Sequence, residues 1–264
     1  MTPDDWLRKG AALLAAAQIP DPQREARLLW RATPDEDGPT FLAKVEQRAG
    51  RVPLSHILGY RDFYKHRFIV TGDVLDPRPD TETLIEAALA HPFARVLDLG
   101  TGSGCILLSL LDAQGQATGV GTDISPAALD IARQNSAALQ LEERADFVQS
   151  DWFEKVTGAF DLIVSNPPYI AAAEMAALQP EVQFYEPRIA LTDEADGLTA
   201  YRVITQSAPD YLGSGGRLIF EIGPTQGAAV TALMKDAGFA DIRVIPDLDG
   251  RDRVVAGYFA KTAA

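Results

Sequence analysis

Residues 165–170 read SNPPYI and follow an apolar run from Phe160 to Val164. Proline fixes φ, has no N–H and pushes the residue before it into an extended conformation. Two prolines after Asn166 therefore hold one side-chain amide and two carbonyls still. Such a corner suits a planar NH₂ group whose nitrogen lone pair is conjugated with a neighbouring π-system. The Asn166 side-chain oxygen can accept one of its hydrogens and the Pro167 carbonyl the other, while Tyr169 offers a flat face. Held this way, the nitrogen is aimed and its conjugation reduced, so the chemistry is mainly positioning. Asn166, Pro167 and Tyr169 are the candidate catalytic residues, and Pro168 completes the substrate grip.

A second candidate lies upstream. VLDLGTGSGCILL, residues 96–108, spaces Gly100, Gly102 and Gly104 between a strand and a helix, where glycines let backbone approach a ligand. A phosphate-binding loop needs Gly-Lys-Ser/Thr, and no such lysine is present. A dinucleotide fingerprint, G-x-G-x-x-G/A, fails from both starts: its sixth position is Cys105 from Gly100 and Leu107 from Gly102. What remains is D-x-G-x-G-x-G led by Asp98, with Thr101 and Ser103 between the glycines. That pattern resembles motif I of S-adenosylmethionine (SAM)-dependent methyltransferases. In GVGTDIS the next strand ends at Asp123, 23 residues after Gly100, where a carboxylate can accept both ribose hydroxyls. Alone, Asp123 would read as a cap for the following Ser-Pro; beside the glycine loop, cofactor binding is the better account. The NPPY corner in turn resembles motif IV of enzymes that methylate conjugated NH₂ groups, whether adenine amino groups in DNA and RNA or glutamine side chains in proteins. Methyl transfer from a sulfonium is an in-line displacement that needs no base before attack, because the nitrogen becomes acidic once alkylated. The motif fixes the reaction class and leaves the substrate open. Cys105 reads as a small packed residue under the loop. His56, His66 and His91 have no spacing that suggests a metal or a triad, so no metal is expected.

These groups need a frame. Residues 1–58 carry helical periods, with Asp21-Pro22 and Thr33-Pro34 as helix starts. From Gly59 the aromatic and β-branched run YRDFYKHRFIVTGDV, with a Gly-Asp turn, predicts a linking β-hairpin over 59–79. After Pro79 strands and helices alternate. Strands are expected at 95–99, 117–123, 145–149, 161–165, 217–222, 241–245 and 253–259, with helices between the first six. That implies a parallel, doubly wound sheet. The last two strands, joined by PDLDGRD, should pair antiparallel. Such an α/β sheet, seven-stranded, Rossmann-like and mostly parallel, resembles the class I SAM-dependent methyltransferase fold, here over residues 80–264 with a small N-terminal helical domain before it.

Longer matches narrow the family. LGYRDFYKHRFIV and VLDPRPDTETLIE resemble the segment before motif I in the PrmC/HemK family, which methylates the glutamine of the GGQ motif in peptide-chain release factors. SDWFE, EPRIAL, DGLTAYR, GGRLIFEIG and GRDRVV are similar too. Asp76 stands where an apolar residue is more usual, and residues 1–58 are similar only in type. The resemblance implies that Gly100, Thr101, Gly102, Ser103 and Gly104 contact SAM, Asp123 binds its ribose, Trp152 packs on its adenine and Asp151 accepts from the adenine amino group. It places Asn166, Pro167, Pro168 and Tyr169 on the glutamine amide, with Asn166 also near the cofactor, and Thr81 and Glu82 near the methionine end. The implied product is S-adenosylhomocysteine. The N-terminal helices would grip another face of the release factor, and residues 171–198 would shape the substrate groove. Adenine methylation on nucleic acid and ribosomal-protein glutamine methylation are the alternatives. A non-catalytic SAM-binding scaffold would be expected to show a damaged corner or loop, and both are intact.

Composition sets outer bounds. The chain has 264 residues, 47% hydrophobic and 23% charged, with a net charge of −13. An acidic surface repels a polyanion, which lowers the odds of a nucleic-acid substrate. One cysteine rules out an internal disulfide and fits a reducing compartment. No apolar run near the N-terminus approaches membrane-spanning length. The expectations are a cytoplasmic monomer that acts on a protein, away from membranes.

Overall fold

Thr2 begins the first helix, α1 (Pro3–Ala16), through a reciprocal cap. Its hydroxyl accepts the Asp5 N–H and the Asp5 carboxylate accepts the Thr2 N–H. The computed structural model describes residues 1–259, so the last five residues of the 80–264 segment lie outside the described residues. Asp21-Pro22 opens α2 (Pro22–Arg31), although Asp21 sits at φ +48° and makes no side-chain cap. Thr33-Pro34 opens only one tight turn, because Asp35 at φ +54° breaks the helical path. Asp37 is the true cap of α3 (Gly38–Ala49), its carboxylate accepting the Thr40 N–H. These helices are too short to persist alone in water. What holds them is a shared apolar cluster of Leu14, Leu29, Phe41 and Val45, all with no solvent exposure.

After α4 (Leu54–Leu58), β1 (Tyr60–Phe63) pairs antiparallel with β2 (His66–Ile69). The hairpin reverses at Tyr64-Lys65 and not at Gly-Asp: Tyr64 adopts φ +52° and is pinned by Glu82, which accepts its N–H at 3.0 Å. The Gly72-Asp73 turn lies beyond it.

The main sheet comprises β3 (Arg95–Leu99), β4 (Thr118–Asp123), β5 (Ala145–Gln149), β6 (Phe160–Ser165), β7 (Leu212–Glu221), β8 (Phe239–Pro246) and β9 (Asp252–Phe259). Its order is β5-β4-β3-β6-β7-β9-β8, parallel except where β9 runs against both neighbours. Two apolar layers cover it. One is built on α5 (Glu82–Leu89) and α6 (Cys105–Ala113), the other on α9 (Thr199–Tyr211) and α10 (Gly227–Asp236). Between β4 and β5 runs α7 (Pro126–Ala138).

One expected helix does not form. Residues 150–159, between β5 and β6, are a string of turns. Trp152 at φ +44° and Gly158 at φ +89° interrupt any helix, and the buried side chains of Phe153 and Val156 anchor the loop instead.

Candidate active site

Strand order reverses between β3 and β6, the place where ligands bind in open parallel sheets. Leu99 and Ser165 are register partners there, and the Ser165 hydroxyl donates to the Leu99 carbonyl at 2.7 Å. The glycine loop and the asparagine corner therefore leave the sheet side by side, onto a cavity of about 580 Å³.

Asp98 starts the loop with no solvent contact, and burial pushes its carboxyl up to about 7. It accepts the Thr101 hydroxyl at 2.7 Å. Gly100 and Gly102 follow at φ +70° and +54°. A Cβ on Gly102 would meet nothing within 4 Å, so no packing demands glycine there. The left-handed backbone does, since it costs other residues about 1–2 kcal/mol. The Gly102 N–H donates to Asp123 at 2.9 Å, and Asp123's other oxygen accepts the Ser125 N–H at 2.9 Å. Ser125, not Asp123, caps α7. Asp123 is thus held on the cavity wall, its carboxyl raised above the usual carboxylate range by burial. Trp152 lies across the loop, its ring 3.9 Å from where a Gly100 Cβ would be, and Asp151 lines the same wall.

On the other side, Asn166 and Pro168 face the cavity. Among the described residues the Asn166 side-chain amide has no hydrogen-bond partner. Pro167 is buried, and Tyr169 packs against the apolar layer over α9 and α10, so neither lines the cavity. Burial, then the nearby Glu221, raises the Tyr169 hydroxyl above its ordinary value. Gly104 caps α6 against Ala132, behind the loop, while Cys105 reaches the cavity. The sequence therefore brings together Gly100 to Ser103, Asp123, Asp151, Trp152, Asn166 and Pro168. Thr81 lines the cavity as well; Glu82 does not, being spent on the hairpin.

Sequence reasoning passed over the outer wall. Arg78 lines it and donates to both oxygens of Glu186, at 2.5 and 2.6 Å. Burial pushes Glu186 up to about 7 against the pull of Arg78. Arg253 meets Asp80 at 3.0 Å and Asp247 at 3.2 Å. The stretches PRPD, EPRIAL and GRDRVV thus interlock, although nothing local in any of them announces its partner. Asp76 accepts the Ser55 hydroxyl and lies 3.6 Å from His56 Nε2, which gives the unusual acid a buried polar setting.

The residues fit a nucleoside-bearing methyl donor. Bare backbone at Gly100 and Gly102 forms a cradle, and the buried hydroxyls of Thr81 and Ser103 on its wall have no partner among the described residues. No group of three or more His, Cys, Asp or Glu among the described residues is arranged to hold a metal. No described helix is long and apolar enough to cross a membrane.

The family pattern of the Methyltransferase small domain matches residues 65–182. A release factor glutamine methyltransferase of Cereibacter sphaeroides is 53% identical over 253 residues, spanning 96% of this chain and 91% of that protein. One from Rhodospirillum rubrum is 43% identical over 266 residues, spanning 94% of this chain and 82% of that protein. A crystal structure of a methyltransferase from Pyrococcus furiosus superposes with a TM-score of 0.57 at 14% identity, over 73% of this chain and 88% of that one, a likeness of fold. Fold, cavity and near full-length identity agree: the chain belongs to the release factor glutamine methyltransferases.

Proposed function

We propose that the protein transfers a methyl group from SAM to the side-chain amide nitrogen of the glutamine in the GGQ motif of peptide-chain release factors. The observation that carries this reading is the partnerless Asn166 amide, set at the switch point beside the glycine loop. Bound in the cradle, SAM supplies an electrophilic sulfonium methyl. Gly100 to Ser103 would hold it through backbone, Asp123 would take the ribose hydroxyls, Trp152 would pack on the adenine and Asp151 would accept from its amino group.

The protein's own work is orientation. Asn166 Oδ1 accepts one amide hydrogen of the glutamine and the Pro167 carbonyl accepts the other, which reduces the nitrogen's conjugation and aims it. Pro168 flanks the acceptor and Tyr169 backs the corner. The proton leaves to water once alkylation makes the nitrogen acidic, so no side-chain base is used. Residues 1–58 act as the docking domain, 59–79 as the linker and 80–264 as the methyltransferase domain. The protein works as a monomer in the cytoplasm.

Intact-mass analysis of a release factor incubated with SAM and the protein should show one added methyl group. A release factor with the GGQ glutamine replaced should show none; equal methylation of both would overturn the substrate. Asn166→Ala should keep SAM binding near normal while lowering turnover by roughly 10²-fold, about 2.7 kcal/mol. Unchanged turnover would remove Asn166 from the mechanism.

A further inference from the structure

Gln226, the residue before α10, ties three loops together with one side-chain amide. Its Nε2 donates to the Tyr169 carbonyl at 2.9 Å and to the Gly197 carbonyl at 3.1 Å, and its Oε1 accepts the Gly223 N–H at 2.9 Å. Carbonyls only accept and an N–H only donates, so this amide has one workable orientation.

The Tyr169 carbonyl is the end of the asparagine corner. Pro167 and Pro168 have no N–H to give. Among the described residues, the Gln226 amide is the only hydrogen-bond partner of the backbone from Asn166 to Tyr169. The flanking anchors lie outside that stretch: the Ser165 hydroxyl on Leu99, and the Ile170 N–H on the Leu191 carbonyl at 3.0 Å. Gly197 shows how close the approach is. It sits at φ +76°, and a Cβ there would stand 2.3 Å from the Tyr169 oxygen, so glycine lets a second carbonyl reach the same amide. Fully buried Tyr201 steadies the near side, its hydroxyl donating to the Glu221 carbonyl at 2.8 Å.

We propose that Gln226 is a positioning residue for the methyl acceptor: by holding the Tyr169 carbonyl it fixes the direction in which Asn166 and the Pro167 carbonyl present themselves to the substrate amide. This rests on the reading of Asn166 given above. Gln226 is absent from the cavity wall and acts through the corner.

Gln226→Glu keeps the shape and turns the donor that faces two carbonyls into an acceptor. Turnover should fall about tenfold or more, because small displacements of a positioning group are costly, while SAM affinity on the opposite side of the cavity stays within about twofold. Protonating the introduced acid restores one donor. The deficit of Gln226→Glu relative to wild type should therefore shrink as pH is lowered, whereas the deficit of Gln226→Leu, which has no proton to regain, should not. Unchanged turnover in Gln226→Glu would overturn the role, as would deficits in the two variants that share one pH dependence. So would a parallel loss of SAM affinity in both, which would make Gln226 a general packing residue. Asn166→Ala, measured alongside, separates the two levels. If that variant keeps full turnover, the acceptor reading fails; if it is impaired while Gln226→Glu is not, only the role of Gln226 fails.

Discussion

Asp98 and Glu221 are carboxylic acids without meaningful solvent contact, at the ends of β3 and β7. Burial raises them from 3.8 and 4.5 to about 7. The folded state then binds protons that the unfolded chain has released, so their contribution to stability is present below pH about 4 and is lost as pH rises through about 7. Exposed Asp5 and Asp196 are lowered to about 2 and act with opposite sign below that window, so the two effects do not overlap. Melting temperature without SAM should decline across the window, and Asp98→Asn, which cannot lose a proton, should flatten the decline. An identical slope in that variant would assign the effect elsewhere. At this scale the sequence was legible wherever a function sits in consecutive residues. Asn166, the glycine loop and Asp123 were found because proline and glycine constrain backbone locally. Arg78 and Glu186 were not, since they pair across 108 residues and nothing in the residues around either one marks it as paired.

The elements were legible from periodicity, with failures where tertiary anchors replaced it. Residues 150–159 carry apolar residues three apart, which suits a helix, yet left-handed Trp152 makes them a loop that sets its own ring over the glycines. The long connection over 171–198 hides a similar device. Its short helix α8 (Pro180–Tyr185) is bound to the N-terminal helices: Glu181 accepts from Arg48 at 3.0 Å and from Arg51 at 3.1 Å, and the Tyr185 hydroxyl donates to the Gly50 carbonyl at 2.8 Å. Immediately after it come Glu186 and the cavity-lining residues Pro187 to Ala190. Glu181→Gln should therefore raise KM for the release factor several-fold and leave SAM affinity unchanged. The stability loss should be modest, about 1–2 kcal/mol, because buried Arg48 keeps Glu25 at 2.6 Å. A KM that does not move would show that α8 holds its place without this tie.

For the whole molecule, sheet topology brings two motifs more than sixty residues apart into one cavity, and net charge filters what can reach it. At −13, binding to duplex DNA or to RNA should be weak and should lack the steep salt dependence that phosphate neutralisation produces. A gel shift that weakens sharply with salt would instead favour the adenine amino group as acceptor. The parallel direction of the early strands and the antiparallel last pair followed from the segments that connect them; the seat of the helical segment on the loop over 171–198 did not, because buried arginine contacts leave no periodic trace. Cys105, finally, has a practical consequence. The chain's lone thiol is 8% exposed and pushed up by burial to about 12, so it is nearly silent toward alkylating reagents. A cysteine installed at Phe184, which is 70% exposed on α8, would be the one reactive sulfur in the polypeptide, and a crosslinker attached there could chart which face of a release factor comes to rest against the enzyme without altering any native thiol.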